Sequence, residues 1–440
     1  MDIKNLYYIW LSTTFGAGSK TPKLLLEHFG DIEKIYSAAD KELEALSLPK
    51  SELIMLSNKN LDNAKRYLEY CENNGVGILT YDSPSYPERL KIIDNPPPMF
   101  YYKGRLNMLD DFPCITMVGT RSCSERGFRF AYEIAYDAAS KGAVIVNGLA
   151  LGIDGACIAG ALDANGYAVG LLGCGIDRIY PYGNKELFER LSASGLILSE
   201  FAPFTEPGAK NFPVRNRVMS ALSLATAVFE AGDGSGASLT AKHALEQGRR
   251  LFAVPAKPYD KSYSVALELI KDGATVFTEA DDILTEYSMS FPHRINLANK
   301  NSVPADKLNR LVSLYFKKDI NPDEPVNRRY TKKGNAEQSN RAKDIVEKAP
   351  ISEDFQKKTI IESKPEIIQK EASAETKPDL SLLSKAELEI YEVLQRHESL
   401  SPDEIADKGI KIDDILSALT LLEIYGLVKA LPGGKYSIIK

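Results

Sequence analysis

Residues 114–127, CITMVGTRSCSERG, decide how this chain folds. A β-branched apolar run ends at a glycine, and a polar turn leads into a helix-period segment at 127–140. A buried strand that turns at once into a helix is the first half of a right-handed βαβ unit. The pattern repeats outward in both directions. Further apolar runs lie at 75–81, 143–148, 168–173, 196–201, 226–231, 251–255 and 274–278. Helix-period segments at 154–165, 184–194, 215–222, 237–248 and 263–272 separate most of them. Short strands alternating with helices of about ten residues predict an α/β fold, an extended Rossmann-like parallel sheet covered on both faces. Such sheets take ligands beyond the carboxyl ends of their strands.

Around this core, taken as 66–287, the composition changes. Residues 1–65 read as short helices broken by glycine and Pro22, an all-α domain of SAM/helix-hairpin-helix-like character. Its FGAGSKTPKLLLEHFGD stretch has the look of a loop that offers backbone amides to phosphate. Residues 288–378 are charged and weakly periodic, which predicts a flexible linker too polar to repay its ordering entropy. Residues 379–440 contain three helix-period units and a hairpin through Pro-Gly-Gly, the order of a winged helix, with Ser401 and Glu404 spaced as a capping box.

Composition excludes several classes of function. The 440-residue chain carries a formal net charge of -6, so a polyanion must be met by a local basic patch. Cys71, Cys114, Cys123, Cys157 and Cys174 form no C-x-x-C pair and read as reduced, partly buried thiols. The four histidines are scattered, and neither a metal nor another cofactor is expected. The apolar run in MDIKNLYYIWLSTTFG is too short for a signal peptide or a membrane span, so a cytoplasmic protein is expected.

Candidate binding residues gather at the turns. Gly119, Arg121 and Ser122 follow the 114–118 strand, where backbone amides and a helix dipole favour an anion. Gly148, Gly152 and Asp154 form a second glycine turn, and Arg178, Tyr180, Tyr182 and Asn184 a third, the last two as turn and cap residues. The stretch GAKNFPVRNRVMSAL, residues 208–222, places Lys210, Phe212, Arg215, Asn216 and Arg217 at the mouth of a helix. Forked guanidinium groups match phosphate oxygens, and an interleaved aromatic ring offers a surface for a base. Ser235, Gly236, Ser238 and Thr240 make a further anion-friendly nest.

The motifs VGTRSCSERG, GLALGIDGACIAGAL, GCGIDRIYPYGNKELF, FPVRNRVMSAL and SGASLTAKHALEQGR follow one another in the order and spacing of the DNA-processing DprA/Smf family, which the whole chain resembles. The resemblance implies single-stranded DNA binding in the Rossmann groove, a homodimer, and loading of the RecA recombinase during natural transformation. It carries the DNA contacts onto Arg121, Lys210, Phe212, Arg215 and Arg217, with Gly119, Ser122, Gly127, Ser235, Gly236 and Thr240 shaping the loops. The chain departs from the family pattern at Cys157, where the family has His, at Ala256, where it has Gly, and in KSYSVALELI at 261–270.

Two alternatives compete with this reading. Nucleotide phosphoribohydrolases share the Rossmann variant and use a glutamate four residues beyond the last glycine of their turn; Thr240 stands there, so no catalytic residue is expected. A transcription regulator would read duplex DNA through the winged helix. From 381 to 440 there are seven Lys and Arg against ten Asp and Glu, and the would-be recognition helix at 412–425 has no basic residue. Phosphate and base contact need the opposite sign.

Overall fold

The computed structural model describes residues 2–46, 48–316, 385–397, 399–406, 415, 418, 419, 422, 427–431 and 435–438. They fall into two compact units, divided at Pro350 and Ile351. In the first, helices α1 (Ile3–Phe15), α2 (Thr21–Phe29), α3 (Ile32–Ser37), α4 (Asp40–Glu44), α5 (Lys50–Ser57) and α6 (Asp62–Asn73) come before any strand. Leu6, Ile9, Leu25, Ile32, Ile35 and Leu56 close their core. Residue 65, the expected end of the helical domain, lies inside α6. That helix continues the amphipathic period through Leu68 and Cys71, both buried.

The chain then runs through β1 (Gly77–Thr80), α7 (Glu88–Lys91), β2 (Met99–Gly104), β3 (Cys114–Val118), α8 (Glu125–Ser140), β4 (Val144–Asn147) and α9 (Ile153–Asp163). There follow β5 (Ala168–Leu172), α10 (Lys185–Ser194), β6 (Leu196–Ser199), α11 (Asn211–Leu222), β7 (Ala225–Val228) and α12 (Gly236–Glu246). Strand β8 (Arg250–Ala253), α13 (Ser264–Lys271), β9 (Thr275–Val276), α14 (Asp281–Ser288) and α15 (Ala305–Tyr315) complete the unit. The nine-stranded sheet has the order β1-β2-β6-β5-β4-β3-β7-β8-β9. Strands β3 to β9 run parallel. Strand alternation sends Ile145 to one apolar layer and Val144 and Val146 to the other, as a sheet covered on both faces requires.

Strand order places the ligand site. The chain steps outward from β3 through β4, β5 and β6, then returns to β7 on the other side of β3. The carboxyl ends of β3 and β7 therefore bound the topological switch point, where an open α/β sheet forms a crevice.

Two expectations need correction. Strand β2 was not foreseen, and with β1 it extends the sheet antiparallel beyond β6. Its sequence, MFYYKG, is aromatic rather than β-branched, and Pro96, Pro97 and Pro98 precede it. The ordered fold also passes the expected boundary at 287. In α15, Leu308 and Val312 are buried at a spacing of four, and Tyr315 and Phe316 pack on Phe128 of α8. A short stripe of this kind is hidden because Asp306, Lys307, Asn309, Arg310 and Ser313 interrupt it and polar sequence surrounds it. The rest of the expected linker, from 317 to 378, lies outside the described residues.

The second unit contains α16 (Lys385–Gln395), α17 (Pro402–Ala406) and a hairpin of β10 (Val428–Leu431) with β11 (Lys435–Ile438). The expected capping box is present: the Ser401 amide donates to Glu404 Oε2 at 2.7 Å, and the Glu404 amide to Ser401 Oγ at 3.2 Å. Ile390, Leu394, Ile405, Leu419, Leu422 and Val428 form its core. Most of the expected recognition helix at 412–425 lies outside the described residues.

Candidate nucleic-acid groove

At the switch point a groove of about 640 Å³ opens between the loops after β3, β4 and β7 and the start of α11. Backbone bonds join these loops: the Thr120 amide donates to Glu230 O at 2.7 Å and the Ile153 amide to Thr120 O at 3.2 Å. Gly119 is required by this close approach, since a Cβ there would meet Ile153 at 2.6 Å and Glu230 O at 2.8 Å. Gly152 combines φ 76° with a Cβ position 2.4 Å from Thr120 O. Only glycine suits both demands.

Phe212 is the centre of the basic side. Its half-buried ring stacks on Tyr180, with centroids 5.7 Å apart and planes at 26°. The Arg121 guanidinium lies 5.1 Å from the same ring centroid and that of Arg215 6.0 Å. Cation–π contact with one aromatic thus brings together two arginines 94 residues apart in sequence. Arg121 is exposed, whereas Arg215 is 6% exposed. Arg215 donates from Nε to Asn216 Oδ1 at 3.1 Å and from Nη1 to the Leu171 carbonyl. Its guanidinium sits directly above Gly148, where any Cβ would overlap it.

Asp154 faces Arg215 from below. Gly152 holds the N-cap position of α9, and Asp154, in its first turn, accepts from the amides of Gly148 at 3.1 Å and Ala150 at 3.4 Å. Burial raises the Asp154 carboxyl against the opposing pull of Arg215 and these amides. Burial likewise brings Arg215 down to about 10, with Asp154 resisting and Arg121 adding to the fall. The groove lining carries two guanidinium groups and one carboxylate. A local positive surplus of this kind, one guanidinium buried and the other exposed, favours an anion.

The opposite wall begins α12. Ser235 caps the helix by accepting from the Ala237 amide at 3.3 Å. Thr240 Oγ1 donates to Gly236 O at 3.4 Å, and Asn216 Nδ2 reaches the same carbonyl at 3.4 Å, which ties α11 to α12. Asn216, Ser235, Gly236 and Thr240 all line the groove. Ser238 bonds back to Ser235 O at 2.7 Å. Ser122 is exposed on the β3 loop beside the groove, outside its lining, and Lys210 is exposed at the N-terminal boundary of α11, also outside it.

Arg217 is not part of the groove. It is 4% exposed, and its Nη2 donates to both oxygens of Glu200, at 2.6 and 2.9 Å. Helical geometry explains the difference, because residues two apart on α11 point to different sides. Glu200 also accepts from the Gly18 amide at 3.0 Å. The α1–α2 loop, expected to offer amides to phosphate, spends this one on a buried ion pair and receives Asn95 Nδ2 on the Gly18 carbonyl at 2.9 Å. Arg178 is also engaged, by Asp177 at 3.0 Å and Glu206 at 2.9 Å. Asn184 makes no side-chain cap bond; its Nδ2 instead holds the carbonyls of Leu149 and Ala150, both at 2.9 Å. No signal in the sequence marks that link, which spans 34 residues.

Comparison with known proteins agrees with this architecture. The family model of DNA recombination-mediator protein A matches residues 77–288, and that of the DprA winged helix domain matches 372–434. Protein Smf of Synechocystis sp. is 37% identical over 284 residues, which cover 63% of this chain and 71% of that protein. The chain belongs to the DprA/Smf family. DNA processing protein DprA of Bacillus subtilis is 36% identical over 221 residues, covering 50% of this chain and 74% of its own length. The X-ray structure of DprA from Streptococcus pneumoniae superposes with a TM-score of 0.57 at 29% identity, covering 65% of this chain and 99% of that one. The extended Rossmann core and the C-terminal winged helix are thus those of a family of DNA-processing proteins. Among the described residues no cluster of metal-ligating side chains occurs, and no helix is long and apolar enough to cross a membrane.

Proposed function

We propose that this chain binds single-stranded DNA in the groove between β3 and β7, and as a homodimer delivers the strand to RecA for recombination. One observation carries the reading: Arg121 and Arg215 converge on Phe212 at the switch point, beside the capped start of α12. Two guanidinium groups supply phosphate contact, and the Tyr180–Phe212 stack supplies an aromatic surface for bases. Nothing in this arrangement selects a base sequence, so the grip is sequence-tolerant and salt-dependent. Family membership supports the recombination step through the function named for its core domain, DNA recombination-mediator.

The phosphoribohydrolase-type alternative requires a carboxylate at the turn after β7. Thr240 occupies that position, and the groove carboxylate, Asp154, is committed to loop amides and Arg215. No observation favours hydrolysis.

Titration of a fluorescent oligonucleotide at two salt concentrations tests the proposal. Wild type should bind the single strand more tightly than the duplex, with affinity falling as salt rises. Arg215→Gln and Arg121→Ala should each weaken single-strand binding about tenfold, the scale of a lost charged contact of about 1.4 kcal/mol. Unchanged binding in both variants would remove the groove from consideration. Wild type should also shorten the lag of RecA assembly on the oligonucleotide and sediment as a dimer. Failure of either result would sink that part of the reading.

A further inference from the structure

Helix α15 reaches the groove from behind. Tyr315 lies at its last position, and its ring packs 4.7 Å from the Phe128 ring centroid. The Tyr315 hydroxyl donates to Asn184 Oδ1. Asn184 is 4% exposed, and its amide nitrogen donates to the Leu149 and Ala150 carbonyls. Those residues belong to the loop whose Gly148 and Ala150 amides hold Asp154 and whose Gly148 lies beneath Arg215.

The donors and acceptors agree along the whole chain. The two Asn184 Nδ2 protons are used by two carbonyls, so its oxygen must face Tyr315 and accept. Gly155 is also explained, since a Cβ there would lie 2.7 Å from the Tyr315 hydroxyl. Leu149 sits at φ 55°, a left-handed conformation that a branched apolar side chain adopts only under external constraint. Asn184 supplies such a constraint at its carbonyl. A cavity of about 220 Å³ lies between α15, α9 and α10. The Tyr315 hydroxyl bridges that incompletely packed boundary.

We propose that Tyr315 is a positioning residue for the nucleic-acid groove: through Asn184 it holds the 148–152 loop in the shape that supports Arg215. The proposal rests on the groove reading above for its effect on DNA, but not for the mechanical link itself. Residues 305–316 are then part of the binding apparatus rather than the start of a tether.

Two measurements on the full chain separate the link from its consequence. The first is amide hydrogen exchange over 148–152 in the free protein, comparing wild type, Tyr315→Phe, Asn184→Ala and Lys307→Ala. Lys307, on the same helix as Tyr315, pairs with Asp163 of α9 at 3.6 Å and serves as the control. Tyr315→Phe and Asn184→Ala should speed exchange in this loop severalfold, and Lys307→Ala should not. The second is single-strand affinity against salt. Tyr315→Phe should weaken binding three- to tenfold and lower the salt slope by about one, the signature of one lost phosphate contact. In an Arg215→Gln background it should have no further effect. Unchanged exchange at 148–152 in Tyr315→Phe overturns the link, as does faster exchange in Lys307→Ala to the same degree. Faster exchange with a DNA loss additive to that of Arg215→Gln overturns the route through Arg215. If wild type binds no single strand, the groove reading fails, and the exchange data alone decide the link.

Discussion

Arg215 and Arg217 stand two positions apart on one helix and serve opposite purposes. Arg217 and Glu200 form a buried pair through Arg217 Nη2, and burial raises the Glu200 carboxyl against the pull of Arg217 and the Gly18 amide. Removing one partner leaves a buried charge unpaired, which costs about 3–5 kcal/mol. Arg217→Ala should therefore lower the melting temperature by roughly 10 °C, and any loss of DNA binding should track the unfolded fraction. Arg215→Gln also removes a buried charge, but Asp154 keeps its bonds from the Gly148 and Ala150 amides, so its melting temperature should fall less and the folded protein should still lose DNA binding. Asp154 gives a pH dependence. Its pKa in the folded protein lies above the unfolded value, so acid protonates it first in the folded state. The penalty of the ionised form is carried above that raised pKa and is relieved as pH falls through it toward the unfolded value of about 3.9. Protonation removes the negative charge facing Arg215, so single-strand affinity should rise as pH falls into this range. Asp154→Asn should flatten the rise, and an equally steep profile in that variant would exclude Asp154 as its source.

Among the elements, α11 is the most constrained. One side carries Phe212 and Arg215 into the groove, while Val214 and Arg217 receive the α1–α2 loop. Gly18 has φ 86°, and a Cβ there would lie 3.0 Å from Val214. Gly18→Ala thus faces both an unfavourable backbone conformation and a tight contact, at a cost of about 1–3 kcal/mol. Chemical denaturation should detect this loss, and partial rescue by Val214→Ala would show that the contact contributes. The β3, β4 and β7 turns were legible because strand, glycine and helix adjoin in sequence. Strand β2 was not, because an antiparallel strand added beyond β6 needs no βα signature. Helix α15 was hidden for a related reason: its stripe is short, and α8, far away in sequence, supplies much of the surface that makes it worth ordering.

At the scale of the whole molecule, the two units have separate apolar cores. Every groove-lining residue belongs to the first. A chain ending at residue 350 should therefore bind the single strand within about threefold of the full chain at equal salt, a margin of about 0.7 kcal/mol. A larger loss would assign part of the grip to the winged-helix unit. By itself the sequence determined the alternation of strands and helices, the glycine turns and the family, because these features are local and periodic. It also marked Arg121, Phe212 and Arg215, since basic and aromatic residues at a helix mouth form a short-range pattern. Tertiary structure alone decided that Arg217 pairs with Glu200, that Gly18 spends its amide on that pair, and that Asn184 joins Tyr315 to the Leu149 loop. Each of those contacts joins residues far apart in the chain, and a charged or polar side chain carries no mark of whether its partner is solvent, nucleic acid or another part of the same protein.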